Sequence, residues 1–172
     1  NGTLILPISW FSGDAYGRQL RWSSGVLRSD DYGDTWYEGG AIPDCVWKGG
    51  AIPDLSWIDS GLDEPAIVDL TNSSLSCLMR TCSTIIPRHV FSVSNDHGLT
   101  WSDCSPVDEM TAVDSTPAIV RYSWNPNIVI AAWINRTKED APRSPLVAAF
   151  SADDCKTWQS VVVLDDETSK EM

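Results

Sequence analysis

One short phrase occurs three times in this chain and constrains its fold more than any other feature. The copies start 65 and 57 residues apart and share the pattern S-x-D-x-G-x-T-W, with Cys155 in place of the third glycine. A motif that recurs at a long, loose period is typical of a repeat architecture. The shared positions are Ser29, Asp31, Gly33 and Trp36; Ser94, Asp96, Gly98 and Trp101; and Ser151, Asp153 and Trp158.

The residue types in this phrase predict a tight turn between two strands. Ser and Asp side chains accept hydrogen bonds from backbone N–H groups a few residues further on. Gly supplies a positive φ angle, and the Thr-Trp pair begins a new strand with a large apolar anchor. We therefore expect each copy to be a hairpin turn held by its own side chains and by a buried Trp. A calcium loop is the alternative, but the glycine spacing does not fit an EF-hand, and the glutamate at its twelfth position is missing.

The segments between the turns alternate in polarity like short strands, and no segment shows convincing helical periodicity. Residues 1–8 read as a turn followed by a strand, but the first repeat lacks its opening strand. A duplicated stretch, residues 39–47 and 49–57, is expected to be a loop insertion. The predicted strands are Pro65–Leu70, Leu75–Arg80, His89–Ser94, one opening at Trp101, Thr116–Tyr122, Asn127–Ile134, Leu146–Ser151 and Trp158–Leu164.

Four antiparallel strands in a repeat of this length form one blade of a β-propeller. The predicted fold class is therefore all-β, with about three blades at residues 1–57, 58–110 and 111–172. Closed propellers have four to eight blades, so three blades are fewer than a closed ring contains. We expect the chain to be a single partial domain of a larger ring.

The composition narrows the classes of partner. The chain carries a formal charge of −12, which argues against binding to nucleic acid or to an anionic membrane surface. No apolar stretch is long enough to span a membrane. An anionic ligand would require a few arginines concentrated in one pocket, against the repulsive field of the rest of the chain.

The five cysteines form no C-x-x-C pair, so we expect no zinc site, and buried free thiols are the simpler interpretation. The odd count leaves at least one thiol unpaired. Three glycosylation sequons, at Asn1, Asn72 and Asn135, weakly favour an extracellular or secretory location.

The repeated phrase resembles the Asp box, or bacterial neuraminidase repeat, of six-bladed sialidase-type propellers. The resemblance covers most of residues 60–165. Asp boxes also occur in propellers without enzymatic activity, so the motif alone indicates a fold. Two further stretches sharpen the match. Glu64-Pro65 through Arg80-Thr81 resembles the sialidase segment E-P-x-V-x-x-L … R-T, and residues 143–151 resemble an R-S-P-L … S-x-D stretch.

The resemblance implies a glycan substrate and no cofactor or metal. Sialidases bind the sugar carboxylate with three arginines, whose planar forks suit a carboxylate. A Tyr nucleophile is activated by a Glu, and an Asp serves as acid and base. Glu64 would be the base, and Arg80 and Arg143 would belong to the arginine clamp; Arg88 and Arg136 are weaker alternatives for that clamp. His89 and His97 are expected to be structural.

The first arginine, the Asp and the Tyr of the sialidase pattern are not identifiable in this sequence. We therefore expect the piece to be inactive alone, although its parent would be an enzyme. A non-catalytic Asp-box propeller that binds glycans or proteins is the second hypothesis. The oligomeric state is not predicted.

Overall fold

The computed structural model describes residues 2–12, 21–43, 60–81, 87–138 and 140–166, which form an all-β structure. Among these residues no helix could cross a lipid bilayer. The strands are β1 (Leu4–Ser12), β2 (Arg21–Ser29), β3 (Tyr37–Ala41), β4 (Ser60–Asp69), β5 (Leu75–Thr81), β6 (Arg88–Ser94), β7 (Ser105–Thr111), β8 (Ala118–Arg121), β9 (Val129–Ile134), β10 (Leu146–Ser151) and β11 (Gln159–Asp165).

The strands form three antiparallel groups, β1–β3, β4–β7 and β8–β11, each joined in chain order. A short parallel pairing of β2 with β4 connects the first two groups. The strands described here do not close into a ring. The three-blade count, its boundaries and the six-bladed ring therefore stay predictions.

The core lies in two apolar clusters to which β5 contributes alternately. Cys77 and Met79 belong to one cluster and Leu78 to the other, because successive side chains of a strand point to opposite faces. The first cluster contains Val26, Ile42, Leu62, Leu75, Cys77, Met79, Val90, Trp101 and Cys104. The second contains Val68, Leu78, Val107, Met110, Ala112, Val129, Ala131, Trp133, Val147, Ala149, Cys155 and Trp158.

The three repeated turns have the predicted hydrogen bonds in all copies. In the second copy, Ser94 Oγ accepts from Gly98 N at 2.8 Å and donates to Asp96 Oδ1 at 2.8 Å. Asp96 in turn accepts from the backbone N and the hydroxyl of Thr100, at 2.8 and 2.6 Å. The copies that begin at Ser29 and Ser151 repeat these bonds.

Backbone conformation explains why the motif has a glycine, and the third copy shows the exception. Gly33 and Gly98 have φ angles of +96° and +84°, and Cys155 takes the same place at +66°. The Cys155 side chain is buried in the second cluster, and this burial raises the pKa of its thiol to about 11. Its thiol is therefore protonated near neutral pH, which makes it a poor nucleophile.

The expectation of a buried Trp holds for two copies and is wrong for the first. Trp101 and Trp158 are buried in the two core clusters, each formed where neighbouring strand groups pack together. Trp36 is 42% exposed, and its indole N–H donates to Gly33 O at 3.0 Å. Trp36 belongs to the first group, and among the described residues no strand group packs on its outer side.

The strand predicted to open at Trp101 begins four residues later, at Ser105. Between them, the Ser102 hydroxyl accepts the Val93 N–H at 3.0 Å, and Ser102 N donates to Val93 O at 2.9 Å. A side-chain oxygen thus takes the place of a ladder carbonyl, so regular pairing of β7 with β6 starts only at Ser105 and Pro106.

The first half of the duplicated stretch is partly strand, which corrects the loop prediction. Gly39 and Gly40 lie in β3, and Gly40 N donates to Gly98 O at 2.7 Å. A Cβ on Gly40 would approach Leu99 O to 2.4 Å, so glycine permits this close contact between β3 and the second turn. The rest of the duplication, residues 44–57, lies outside the described residues.

Of the three cysteines that the structure describes, two are free thiols and one is not. Cys77 and Cys155 are free and buried, as expected, whereas Cys104 is bonded in a disulfide, so the expectation is wrong for Cys104. Cys45 and Cys82 lie outside the described residues.

We expect acid to weaken the fold through the turn carboxylates. Hydrogen bonds from the following Thr lower the pKa of Asp31, Asp96 and Asp153 to about 2, from an ordinary value of 3.8. A carboxyl whose pKa is lower in the folded chain contributes stability above its unfolded pKa, and this stability is lost as pH falls from about 4 towards 2. The urea midpoint should fall over that window, and Asp96→Asn should flatten the fall. An equally steep fall in Asp96→Asn would contradict this assignment.

Candidate active site

A bulge in β4 brings two acidic side chains to one arginine. Asp63 pairs with Arg80 of β5 and Ala66 with Leu78, so Glu64 and Pro65 lie opposite Met79 alone. Two residues opposite one define a β-bulge, and Pro fits there because it has no N–H for the ladder. Glu64 has a φ of +50°, a strained value for a residue with a side chain. In a regular strand, the neighbouring side chains of Asp63 and Glu64 would point to opposite faces. The bulge allows both side chains to reach Arg80.

Arg80 is surrounded by carboxylates on all three of its guanidinium nitrogens. Its Nη2 lies 3.0 Å from Asp63 Oδ2, its Nε 3.3 Å from Glu64 Oε2, and its Nη1 2.5 Å from Asp114 Oδ1. The Nε contact is an ion pair without the alignment of a hydrogen bond. Asp63 is further fixed because it accepts the Glu64 N–H at 2.7 Å.

Asp114 connects Arg80 to a second arginine. Its Oδ1 contacts Arg80, and its Oδ2 lies 2.9 Å from Arg143 Nη2. Asp114 lies in the connection between β7 and β8, and Arg143 in the connection between β9 and β10. The site therefore spans the second and third strand groups, and one carboxylate is sufficient to contact both guanidinium groups.

The segment that carries Asp114 is attached to the core on both sides. Trp133 of β9 donates its indole N–H to Thr111 O at 3.0 Å, and Ile134 N donates to Ser115 Oγ at 2.9 Å. Trp133 is almost fully buried in the second cluster. Strand β9 thus holds the backbone around Asp114, whose φ is +50°.

Exposure increases across the site from Asp63 to Arg143. The exposed side-chain fraction is 6% for Asp63, 17% for Arg80, 33% for Glu64, 39% for Asp114 and 67% for Arg143. Counting only residues that the structure describes, two guanidinium groups face three carboxylates, which leaves one formal negative charge in excess. Solvent reaches the cluster from the Arg143 side.

The structure brings together the three residues that the sequence singled out. Glu64 contacts Arg80 directly, and Arg143 is linked to Arg80 through Asp114. The role of each residue in the chemistry stays a prediction. Arg88, a weaker alternative, forms an ion pair with Asp108 at 3.5 Å. Arg136, the other alternative, is buried and donates its Nε–H to Lys138 O at 3.0 Å.

The two histidines have structural positions. His89 is fully buried in β6, with its Nδ1 3.2 Å from Met79 O, and burial lowers the pKa of its ring to about 4. His97 lies in the second turn with a φ of +57°. Within the described ranges, no group of three or more His, Cys, Asp or Glu side chains is arranged to hold a metal ion.

Sequence reasoning missed Asp63 and Asp114. Asp63 precedes Glu64 directly, but a regular strand would place the two side chains on opposite faces, and the bulge is not evident from the sequence. Asp114 follows the predicted end of the second repeat, where an acidic loop residue is ordinary. The only available signal was its place in the connection between two repeats, beside a pocket predicted to contain arginines.

Comparisons with known proteins agree on the fold. A family model for a BNR repeat-like domain matches residues 1–172. No match to a curated protein sequence reaches significance. Among solved structures, a protein of unknown function from Dyadobacter fermentans superimposes with a TM-score of 0.69 at 15% identity, over 96% of this chain and 39% of its own.

Two similar structures are enzymes that act on glycosides. A mutant of the NanB sialidase from Streptococcus pneumoniae matches with a TM-score of 0.64 at 22% identity, over 95% of this chain and 22% of its own. The GH93 α-L-arabinofuranosidase of Fusarium graminearum matches with a TM-score of 0.59 at 15% identity, over 92% of this chain and 44% of its own. This chain thus spans less than half of each of these proteins and shares the fold of that part.

Proposed function

Because the chain belongs to the BNR repeat-like domain family, we propose that it is part of a sialidase-like glycoside hydrolase. The substrate is a glycan that ends in sialic acid or a similar acidic sugar, and the reaction is hydrolysis of that terminal sugar. Arg80 and Arg143 bind the sugar carboxylate, and Glu64 activates the nucleophile.

One observation carries this proposal. The Arg80 and Arg143 guanidinium groups are close enough to share a single carboxylate, that of Asp114, with one oxygen on each arginine. Two arginines at this spacing suit the carboxylate of an acidic sugar, because charge-assisted hydrogen bonds from planar guanidinium groups are strong and directional. In a chain with a formal charge of −12, an anionic substrate needs arginines concentrated in one place, and this pair supplies two guanidinium groups.

Glu64 suits the role of a base beside this pair. It is partly exposed and lies 3.3 Å from Arg80, so its carboxylate is held near the arginine that would grip the sugar. The bulge and its positive φ fix the backbone from which Glu64 extends. A negative charge at this position would both accept a proton and stabilise a cation that develops on the sugar ring.

The test is hydrolysis of a fluorogenic aryl α-sialoside by the full-length protein that contains this chain, with a neutral aryl galactoside as matched control. We expect release of the fluorophore from the sialoside and none from the galactoside. Glycan binding without hydrolysis would favour the non-catalytic Asp-box propeller and contradict the proposal. Hydrolysis of the neutral glycoside alone would contradict the choice of sugar.

A further inference from the structure

We propose that Asp114 is a specificity-determining residue of this site: an internal carboxylate with which the carboxylate of an acidic sugar must exchange in order to bind. This inference rests on the proposed function, because it assumes that Arg80 and Arg143 are the groups that receive the sugar carboxylate. It adds a residue that the sequence pattern did not single out.

Each guanidinium nitrogen of Arg80 already lies against a carboxylate. Asp63 and Glu64 already lie against two of its three nitrogens, and Asp114 lies against the third. Of these three carboxylates, only that of Asp114 also contacts Arg143. A sugar carboxylate that bridges the two arginines in the same way therefore takes the position of the Asp114 carboxylate.

Asp114 is better suited to give way than its two neighbours. Asp63 is 6% exposed and belongs to a strand pair, and Glu64 extends from the bulge in β4. Asp114 is 39% exposed and lies in a connection between strands, so its side chain can turn towards water while β9 holds the neighbouring backbone. When its side chain moves outward, its charge returns to water, and Arg80 keeps its contacts with Asp63 and Glu64.

Charge explains why this exchange sets specificity. With Asp114 in place, three carboxylates face two guanidinium groups, so an additional anion meets a site that is already negative. Like charges at such short distances repel strongly when they are partly buried, because little water lies between them to weaken the repulsion. A neutral sugar does not experience this penalty, so Asp114 weakens the binding of acidic sugars selectively.

The experiment measures calorimetric binding of free sialic acid and of its neutral methyl ester to the full-length protein. In Asp114→Asn the side chain keeps its size, and the site has two charges of each sign. We expect the affinity for sialic acid to rise by about tenfold or more, and the affinity for the methyl ester to stay the same. The matched control is Asp108→Asn, which removes the same charge from an exposed carboxylate paired with Arg88.

The outcomes separate this inference from the proposed function. A rise for sialic acid in Asp114→Asn alone supports the inference. Unchanged or weaker binding of sialic acid in Asp114→Asn, or an equal rise in Asp108→Asn, overturns it and leaves the proposed function intact. If the unmodified protein and both variants bind neither sugar, the proposed function fails, and the inference fails with it.

Discussion

Replacing Arg80 with alanine in the full-length protein is expected to lower kcat/KM for an aryl sialoside by about 10²- to 10³-fold. Arg80 is 17% exposed, and all three of its nitrogens contact carboxylates, so it is the most firmly held cation of the site. Truncating one partner of a buried, hydrogen-bonded charge pair typically costs about 2–5 kcal/mol, which is about 1.5 to 3.7 powers of ten in a rate constant, and the expected loss lies within that range. Steady-state kinetics over a range of substrate concentrations measure the effect.

Two companion variants separate loss of binding from loss of the fold. Arg80→Ala leaves Asp63 buried without its arginine, which also lowers the free energy of unfolding. Arg80→Lys keeps the charge but lacks the planar fork, so we expect a fold close to normal and a kcat/KM at least about tenfold lower. Arg88→Ala, which removes an arginine with a single exposed partner, should leave kcat/KM unchanged. Normal turnover in Arg80→Ala would remove Arg80 from the site.

Replacing Trp133 with alanine is expected to lower the free energy of unfolding by about 3–5 kcal/mol. Trp133 is 1% exposed, packs in the second core cluster and donates its indole N–H to Thr111 O. Domains of ordinary stability unfold with only about 5–15 kcal/mol, so this single change removes a large share of the total. Urea denaturation followed by circular dichroism measures the loss.

The chain supplies a matched control for this substitution. Trp124 is 87% exposed, and Trp124→Ala should change the free energy of unfolding by less than about 0.5 kcal/mol. Trp133→Phe should lie between the two, because it keeps most of the apolar volume and loses the hydrogen bond to Thr111. Equal costs for Trp133→Ala and Trp124→Ala would contradict the packing described here.

The features that local chemistry determines could be predicted from the sequence. The turns that contain Asp31, Asp96 and Asp153 close on partners within four residues, so the motif alone specifies their hydrogen bonds. Strand β10 agrees with its predicted bounds because Leu146–Ser151 alternates cleanly between buried and partly buried side chains.

The features that depend on neighbouring strands could not be predicted from the sequence. Trp36 has the same motif as Trp101, but burial requires a second strand group on its face. Asp63 and Glu64 reach the same arginine only because the bulge changes the alternation of β4. Asp114 lies 34 residues from Arg80 and 29 from Arg143, a separation at which no local pattern indicates a contact.

The variant Arg143→Ala tests directly whether two arginines bind the sugar carboxylate. Arg143 is 67% exposed, so its removal should not disturb the fold. The measurement is the ratio of the affinities for sialic acid and its neutral methyl ester, in the full-length protein and in this variant. We expect the unmodified protein to prefer the acid, and Arg143→Ala to lower this preference at least about tenfold through weaker binding of the acid alone. The same preference in both proteins, or equal weakening for acid and ester, would contradict it.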